Sequence, residues 1–113
     1  ASVRRKPQHR HHLYVVELDP TVALFKVVRR LNPLRDPGKP CVYVGMTGLD
    51  PVQRLENHLE GYKSSGWVRR YGRRLLPDLF QHLNPMPYEA AVEMERDLAA
   101  DLRQQGYTVV GGH

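Results

Sequence analysis

Five side chains spread along the sequence could together perform phosphodiester chemistry: two phenols, a guanidinium, an imidazole and a carboxylate. They belong to Tyr14, Tyr43, Arg54, His58 and Glu95. Phenols and imidazoles can transfer protons, a guanidinium can stabilise charge on phosphoryl oxygens, and a carboxylate can hold a hard divalent cation. Hydrolysis of a phosphodiester needs these functions, provided that the fold brings the groups together.

Arg54 and His58 stand four residues apart on a predicted helix, a spacing that places them on one face. Asp50 followed by Pro51 is a helix-start signal, and Gly61 is a stop signal. The predicted helix therefore extends to about residue 60. Its predicted core stripe consists of Val52, Leu55 and Leu59.

Glu95 lies on the apolar stripe of a second predicted helix, which runs from about residue 88 to 105 and is closed by Gly106. The apolar members of that stripe are Ala91, Met94, Leu98 and Leu102. A carboxylate directed toward the core edge is costly unless a cation or a metal compensates it. Two interpretations stay open: a metal ligand, or a salt bridge, for example to Arg54.

The two tyrosines fall in predicted strands. Residues 13 to 18 and 41 to 46 are rich in β-branched and aromatic side chains. In the second strand Gly45 shares a face with Tyr43, which predicts room for something to approach the phenol. A third strand is predicted within residues 75 to 83, at an edge or bulge because of Pro77, and residues 107 to 110 predict a short terminal strand.

Between the first two strands, Asp19-Pro20 predicts the start of a short amphipathic helix. Its predicted stripe consists of Leu24, Val28 and Leu31. Residues 32 to 40 hold three prolines and one glycine, which predicts a loop. The predicted fold class is α+β: a small, mainly antiparallel three-stranded sheet flanked by helices, with an extra helix inserted between strands one and two.

Residues 62 to 74 mix aromatic and cationic side chains, which suits contacts with a sugar-phosphate backbone and stacking with bases. The predicted nucleic-acid-binding residues are Lys63, Arg69, Arg70, Arg73 and Arg74. For Trp67 alone, core packing is the favoured interpretation.

Length and composition set the remaining expectations. The 113 residues predict one folded domain, residues 13 to 113, preceded by a flexible basic arm of residues 1 to 12. The formal net charge of +5 favours polyanionic partners such as nucleic acid. A single cysteine, Cys41, and the lack of a long apolar run predict a cytoplasmic protein that does not associate with membranes.

The segments around the tyrosines resemble the GIY-YIG nucleases, a superfamily that includes phage homing endonucleases, some restriction enzymes and the first incision domain of bacterial excision repair. Leu13-Tyr14 stands where the first family motif has Ile-Tyr, and residues 42 to 45, Val-Tyr-Val-Gly, are similar to the second motif. His12 replaces the glycine of the first motif, and the interval between the tyrosines is longer than usual in the family.

The later residues match in order. Arg54 follows Tyr43 by eleven residues and precedes His58 by four, as the family's helical arginine and histidine do. Lys63 falls where some members carry a second active-site histidine, and Glu95 resembles the metal-binding glutamate of the family's late helix.

The resemblance implies a metal-dependent endonuclease that holds one Mg²⁺ or Mn²⁺ at Glu95 and acts on nucleic acid, with DNA expected rather than RNA. It further implies that Tyr14 is the base, that Tyr43 and His58 orient or relay its proton, and that Arg54 stabilises charge. A monomer or weak homodimer is expected. The alternatives are a non-catalytic nucleic-acid-binding module with the same fold, and an adaptor that docks an acidic protein.

Overall fold

The centre of the sheet is formed by the two segments in which β-branched and aromatic residues concentrate. In a computed structural model that describes residues 9–112, they form β1 (His12–Leu18) and β2 (Cys41–Thr47). The strands pair antiparallel over their whole length, with Tyr14 opposite Gly45. This pairing confirms the two central strands that the sequence predicts.

The outer strands give a sheet that differs from the predicted one. β3 (Gly72–Leu75) pairs antiparallel with β1, and β4 (Thr108–Gly111) pairs parallel with β2, in the order β3-β1-β2-β4. The α+β class and the short terminal strand are therefore confirmed, and two of the three pairings are antiparallel, but the sheet is four-stranded and mixed, so the predicted count of three strands is wrong.

The third strand also lies earlier in the chain than predicted. Only Leu75 of the predicted segment belongs to β3, and the residues that follow form two 3₁₀ turns, Pro77–Leu79 and Gln81–Leu83. Pro77 has no N–H to donate to a neighbouring strand and a fixed φ that suits the first position of such a turn. The arginines at positions 73 and 74 are consequently strand residues on the sheet edge.

The helix predicted between the central strands is present but divided. A 3₁₀ turn (Pro20–Leu24) is followed by α1 (Lys26–Leu31), with Phe25 in extended conformation between them. The Phe25 ring at this break packs edge-on against Trp67 and Tyr71. Of the predicted stripe only Val28 is buried, whereas Leu24 and Leu31 are exposed.

The predicted helix that carries Arg54 and His58 is confirmed as α2 (Pro51–Glu60). The Asp50 side chain accepts a hydrogen bond from the N–H of Val52 at 2.9 Å, and Gly61 ends the helix in the left-handed region at φ 87°. The predicted stripe is wrong in part, because Val52 and Leu59 are exposed and the buried residue of α2 is His58.

Two further helices complete the fold. α3 (Gly66–Tyr71) is short and is capped by Ser65, and α4 (Tyr88–Gln104) matches the predicted late helix. The buried face of α4 consists of Ala91, Glu95, Ala99 and Leu102. The carboxylate predicted to lie on this stripe is therefore on the core side of the helix.

One buried amide joins the last strand to the rest of the protein. The Asn32 side chain donates to the carbonyls of Val28 and Val109 and accepts from the N–H of Val109 and from Arg103 Nε, at 2.8 to 3.3 Å. All of its hydrogen-bonding capacity is used, which fixes β4 against the end of α1.

Most of the predicted basic arm, residues 1–8, lies outside the described residues. Its last two residues have regular backbone contacts: His12 begins β1, and His11 forms an isolated bridge with Met86 through two backbone hydrogen bonds of 2.9 Å. Within residues 9–112, none of the helices combines the length and the apolar character that spanning a membrane requires.

Candidate active site

The centre of the candidate site is a hydrogen bond between the first tyrosine and the helical histidine. Tyr14 on β1 is 2% exposed and His58 on α2 is 1% exposed, and the Tyr14 hydroxyl lies 2.8 Å from His58 Nε2. Residues 44 positions apart are thus joined inside the core. Burial of both polar groups is compatible with folding because each has a partner.

Tyr43 lies on the same face of the sheet, beside this pair. Its ring centroid is 6.1 Å from that of Tyr14 and 5.8 Å from that of His58. Two phenols and an imidazole therefore form one cluster, as the sequence predicts. Tyr43 is the half-buried member of the cluster, which makes it more accessible to a ligand than Tyr14.

Gly45 explains how the two phenols fit together. A Cβ atom at this position would lie 2.5 Å from both Cζ and the hydroxyl oxygen of Tyr14. The prediction that Gly45 leaves room beside Tyr43 needs correcting, because the Tyr14 side chain occupies that space. The glycine is required for packing of the cluster itself.

Ser65, at the N-terminus of α3, holds the other side of the imidazole. Its backbone N–H donates to His58 Nδ1 at 3.0 Å, while its hydroxyl accepts from the N–H of Trp67 at 3.2 Å. Sequence analysis missed this residue. A serine before an apolar helical segment is an N-cap signal, but that signal does not predict contact with a histidine seven residues earlier.

Arg54 lies close enough to the cluster for its charge to act on Tyr14, Tyr43 and His58. Its guanidinium also donates to the carbonyls of Tyr62 and Lys63, at 3.5 and 2.9 Å. The guanidinium of Arg54 therefore orders the turn after α2. It has five N–H groups, so some of them can donate to an anion in addition to these two hydrogen bonds.

The environment of the cluster shifts the pKa of all three aromatic groups. Burial raises the pKa of Tyr14 well above its usual range, against the opposing effect of the Arg54 guanidinium. Burial also raises the pKa of Tyr43. Burial, reinforced by the charge of Arg54, lowers the pKa of His58 to about 4, so the imidazole is neutral at pH 7.

In addition to burial and the charge of Arg54, three neighbours act on the phenolate form of Tyr43. The hydroxyls of Ser65 and Tyr14 favour it by hydrogen bonding and so lower the pKa of Tyr43, whereas the negative charge of Glu95 disfavours it and raises that pKa. The carboxylate of Glu95 on α4 therefore acts electrostatically on Tyr43.

Glu95 is a suitable ligand for a hard cation of the predicted kind. It is 8% exposed, on α4, and its charge is felt at Tyr43. Within residues 9–112 no cluster of three or more His, Cys, Asp or Glu side chains is placed to enclose a metal. A single carboxylate fits Mg²⁺ or Mn²⁺, because Mg²⁺ keeps several waters and commonly binds through one or two carboxylates together with substrate phosphates.

The predicted nucleic-acid-binding residues divide into two groups. Arg73 pairs with Asp19, and Arg74 pairs with Glu17, each at 3.1 Å. These two ion pairs do not include Lys63, Arg69 or Arg70. All three side chains are exposed.

The aromatic residues of the same stretch also divide. Trp67 and Tyr71 pack with Phe25 in a cluster with centroid distances of 5.4 to 6.0 Å, which confirms core packing for the tryptophan. Tyr62 is 60% exposed beside the turn that Arg54 orders, with Lys63 Nζ 5.6 Å from its ring centroid. Tyr62 is therefore the aromatic residue of this stretch that can meet a base.

A large groove of about 1010 Å³ lies away from the candidate active site, between the proline-rich loop of residues 32 to 40 and β3. Cys41 and Tyr107 line it together with Arg73 and Arg74, and none of the five predicted catalytic residues does. The groove and the candidate active site are therefore separate features.

Comparison of the chain with protein-family models, with curated proteins and with solved structures returned no match.

Proposed function

We propose that this protein is a metal-dependent endonuclease of the GIY-YIG type that hydrolyses phosphodiester bonds of nucleic acid, most readily DNA. The observation that carries the proposal is the convergence of Tyr14, Tyr43, Arg54 and His58 in one cluster within electrostatic reach of Glu95. Packing alone does not require a guanidinium, an imidazole and a carboxylate around two phenols.

In this proposal Glu95 holds the divalent cation, which supplies charge neutralisation at the scissile phosphate. Arg54 has N–H groups left after its bonds to the turn, and these donate to the same phosphoryl oxygens. Water attacks phosphorus, the bond to the leaving oxygen breaks, and the proton of the water passes to a phenolate.

The structure favours Tyr43 over Tyr14 as that phenolate, which differs from the role expected from family resemblance. Tyr14 is 2% exposed and its own hydroxyl supports ionisation of Tyr43, whereas Tyr43 is half-buried and its pKa responds to the charge of Glu95. Since the charge of Glu95 raises the pKa of Tyr43, compensation of that charge by a bound cation favours the phenolate.

The direct test is a plasmid-nicking assay with Mg²⁺, Mn²⁺ or EDTA, using the wild type and Glu95→Gln. Cleavage should require the metal, and the variant should lose about a hundredfold or more in rate with unchanged circular dichroism. Glu93→Gln is the matched control, because Glu93 is an exposed carboxylate on the same helix, two residues away. Equal cleavage by the two variants contradicts the proposal.

The assay also separates the competing functions. Metal-independent DNA binding without cleavage by the wild type indicates a non-catalytic binding module. Indifference to DNA at low salt indicates an adaptor for another kind of partner, since binding through cations depends on salt.

A further inference from the structure

The His58 ring is held at both nitrogens. Nδ1 accepts the backbone N–H of Ser65 at 3.0 Å, and Nε2 lies 2.8 Å from the Tyr14 hydroxyl. The ring is 1% exposed, so water does not compete appreciably for either nitrogen.

A backbone amide can only donate, so the nitrogen that it contacts carries no proton. A neutral imidazole has one ring proton, and here that proton must be on Nε2. The His58 ring is neutral at pH 7 because its pKa is lowered to about 4. The bond to the first tyrosine therefore runs from Nε2–H to the oxygen of Tyr14.

We propose that Ser65 is a positioning residue whose backbone N–H fixes the tautomer of His58, so that His58 donates to the Tyr14 oxygen and the hydroxyl proton of Tyr14 points away from His58. His58 is then a fixed hydrogen-bond donor. His58 does not accept the proton of Tyr14 as long as the hydrogen bond from the Ser65 N–H to Nδ1 persists.

The hydrogen bonds that result have one direction, from the Ser65 amide to His58 and from His58 to Tyr14. The ring of Tyr43, the more accessible phenol, lies beside Tyr14 at a centroid distance of 6.1 Å, and the Tyr14 hydroxyl lowers the pKa of Tyr43. The hydroxyl of Ser65 also supports the phenolate form of Tyr43, so this residue acts on Tyr43 as well as on His58. The catalytic consequence rests on the proposed function, whereas the tautomer does not.

The tautomer can be measured without any assay of cleavage. In protein labelled with ¹⁵N, long-range ¹H–¹⁵N correlation of the His58 ring should show a proton on Nε2 and an unprotonated Nδ1 at pH 7. A scalar coupling across the hydrogen bond should connect the Ser65 amide nitrogen with His58 Nδ1. A proton on Nδ1, or a mixture of tautomers, overturns the proposal.

Two variants separate the backbone N–H from the side chain. Ser65→Pro removes the N–H, and the φ of −71° at this position is one that proline adopts. Ser65→Ala keeps the N–H but lacks the hydroxyl and the cap. We expect the single tautomer to be retained in Ser65→Ala and lost in Ser65→Pro; if the proline variant does not fold, the coupling in the wild type decides the question.

The kinetic comparison is between the same two variants. The kcat of Ser65→Pro should be about 10- to 100-fold below that of Ser65→Ala with KM nearly unchanged, because the lost interaction acts on proton position and not on substrate binding. Equal kcat values overturn the catalytic part. If the wild type does not cleave nucleic acid, the proposed function fails while the NMR result still decides the role of Ser65.

Discussion

Tyr14 and Tyr43 share one cluster but have different environments, and the difference assigns them different roles. Tyr14 is enclosed between Gly45 and His58, with its oxygen already accepting a hydrogen bond. Tyr43 is half-buried; the hydroxyls of Ser65 and Tyr14 favour its phenolate, and the charge of Glu95 disfavours it. In the proposed mechanism, identical side chains therefore have different roles because of burial and hydrogen-bond direction.

The same burial makes folding stability depend on the protonation of His58. Its pKa is about 4 in the folded protein and near the usual ~6.5 when unfolded, so the unfolded state binds more protons between these values. The free energy of unfolding should fall as pH decreases through this window, by at most about 1.4 kcal/mol per pH unit, and the contribution should be complete above pH ~6.5.

Urea unfolding of the wild type and of His58→Gln at pH 7 and pH 5 measures this effect. The wild type should lose more stability between the two pH values than the variant does. His82→Gln is the control, because His82 is exposed on a 3₁₀ turn, and it should behave as the wild type. An equal loss in all three proteins excludes His58 as the cause.

At the scale of elements, the close packing of β1 and β2 depends on the absence of a side chain at Gly45. In Gly45→Ala the new methyl group would lie 2.5 Å from the Tyr14 oxygen, so the ring must move and its bond to His58 is lost. We expect a decrease of about 1–3 kcal/mol in the free energy of unfolding and loss of most cleavage activity.

Gly48→Ala is the matched control for this substitution. A Cβ at Gly48 would have His11 Nε2 as its nearest neighbour, at an ordinary 3.6 Å, so its stability should change by less than about 0.5 kcal/mol. Denaturation midpoints and nicking rates of the two variants give the comparison. Similar behaviour of both variants would mean that the ring of Tyr14 adapts without cost.

The elements themselves were predictable wherever a local signal decides them. Asp50, Pro51 and Gly61 define α2 correctly, because a cap, a proline at the first position and a left-handed stop act within one turn. The prediction of a strand from residue 75 to 83 failed because Pro77 favours a 3₁₀ turn. The parallel pairing of β4 with β2 was not predictable, since it joins segments more than 60 residues apart in the chain, as does the hydrogen bond of Asn32 to Val109.

The candidate site was predictable in its residue types more than in its geometry. The spacing of Arg54 and His58 on one helix face is a local property of the sequence. It allows both side chains to approach Tyr14 together. The contact of Ser65 with His58 depends on how α3 packs against α2, which no sequence period encodes. The stripe of α2 was wrong for the same reason: a histidine with two partners is buried in place of Val52.

At the scale of the whole molecule, charge distribution determines how a nucleic acid strand would approach. Arg69 and Arg70 are exposed on α3, next to the turn that carries Ser65, and the Arg69 guanidinium packs over Gly61 at the end of α2. Arg73 and Arg74 are compensated by Asp19 and Glu17 on the sheet edge. Arg69 and Arg70 are therefore accessible to phosphate groups, whereas the charges of Arg73 and Arg74 are largely neutralised by their ion pairs.

Two double variants test this division with the same change in net charge. Arg69→Ala with Arg70→Ala should weaken DNA binding and reduce the slope of log affinity against log salt by about 1 to 2, because up to two phosphate contacts are lost. Arg73→Ala with Arg74→Ala should change the slope by less than about 0.5, since these cations already have partners. Fluorescence anisotropy in EDTA across a salt series measures both slopes without cleavage. Because the two variants have equal net charge, a larger slope change in the second would mean that nucleic acid lies along β3, away from the phenols, and would separate binding from the candidate active site.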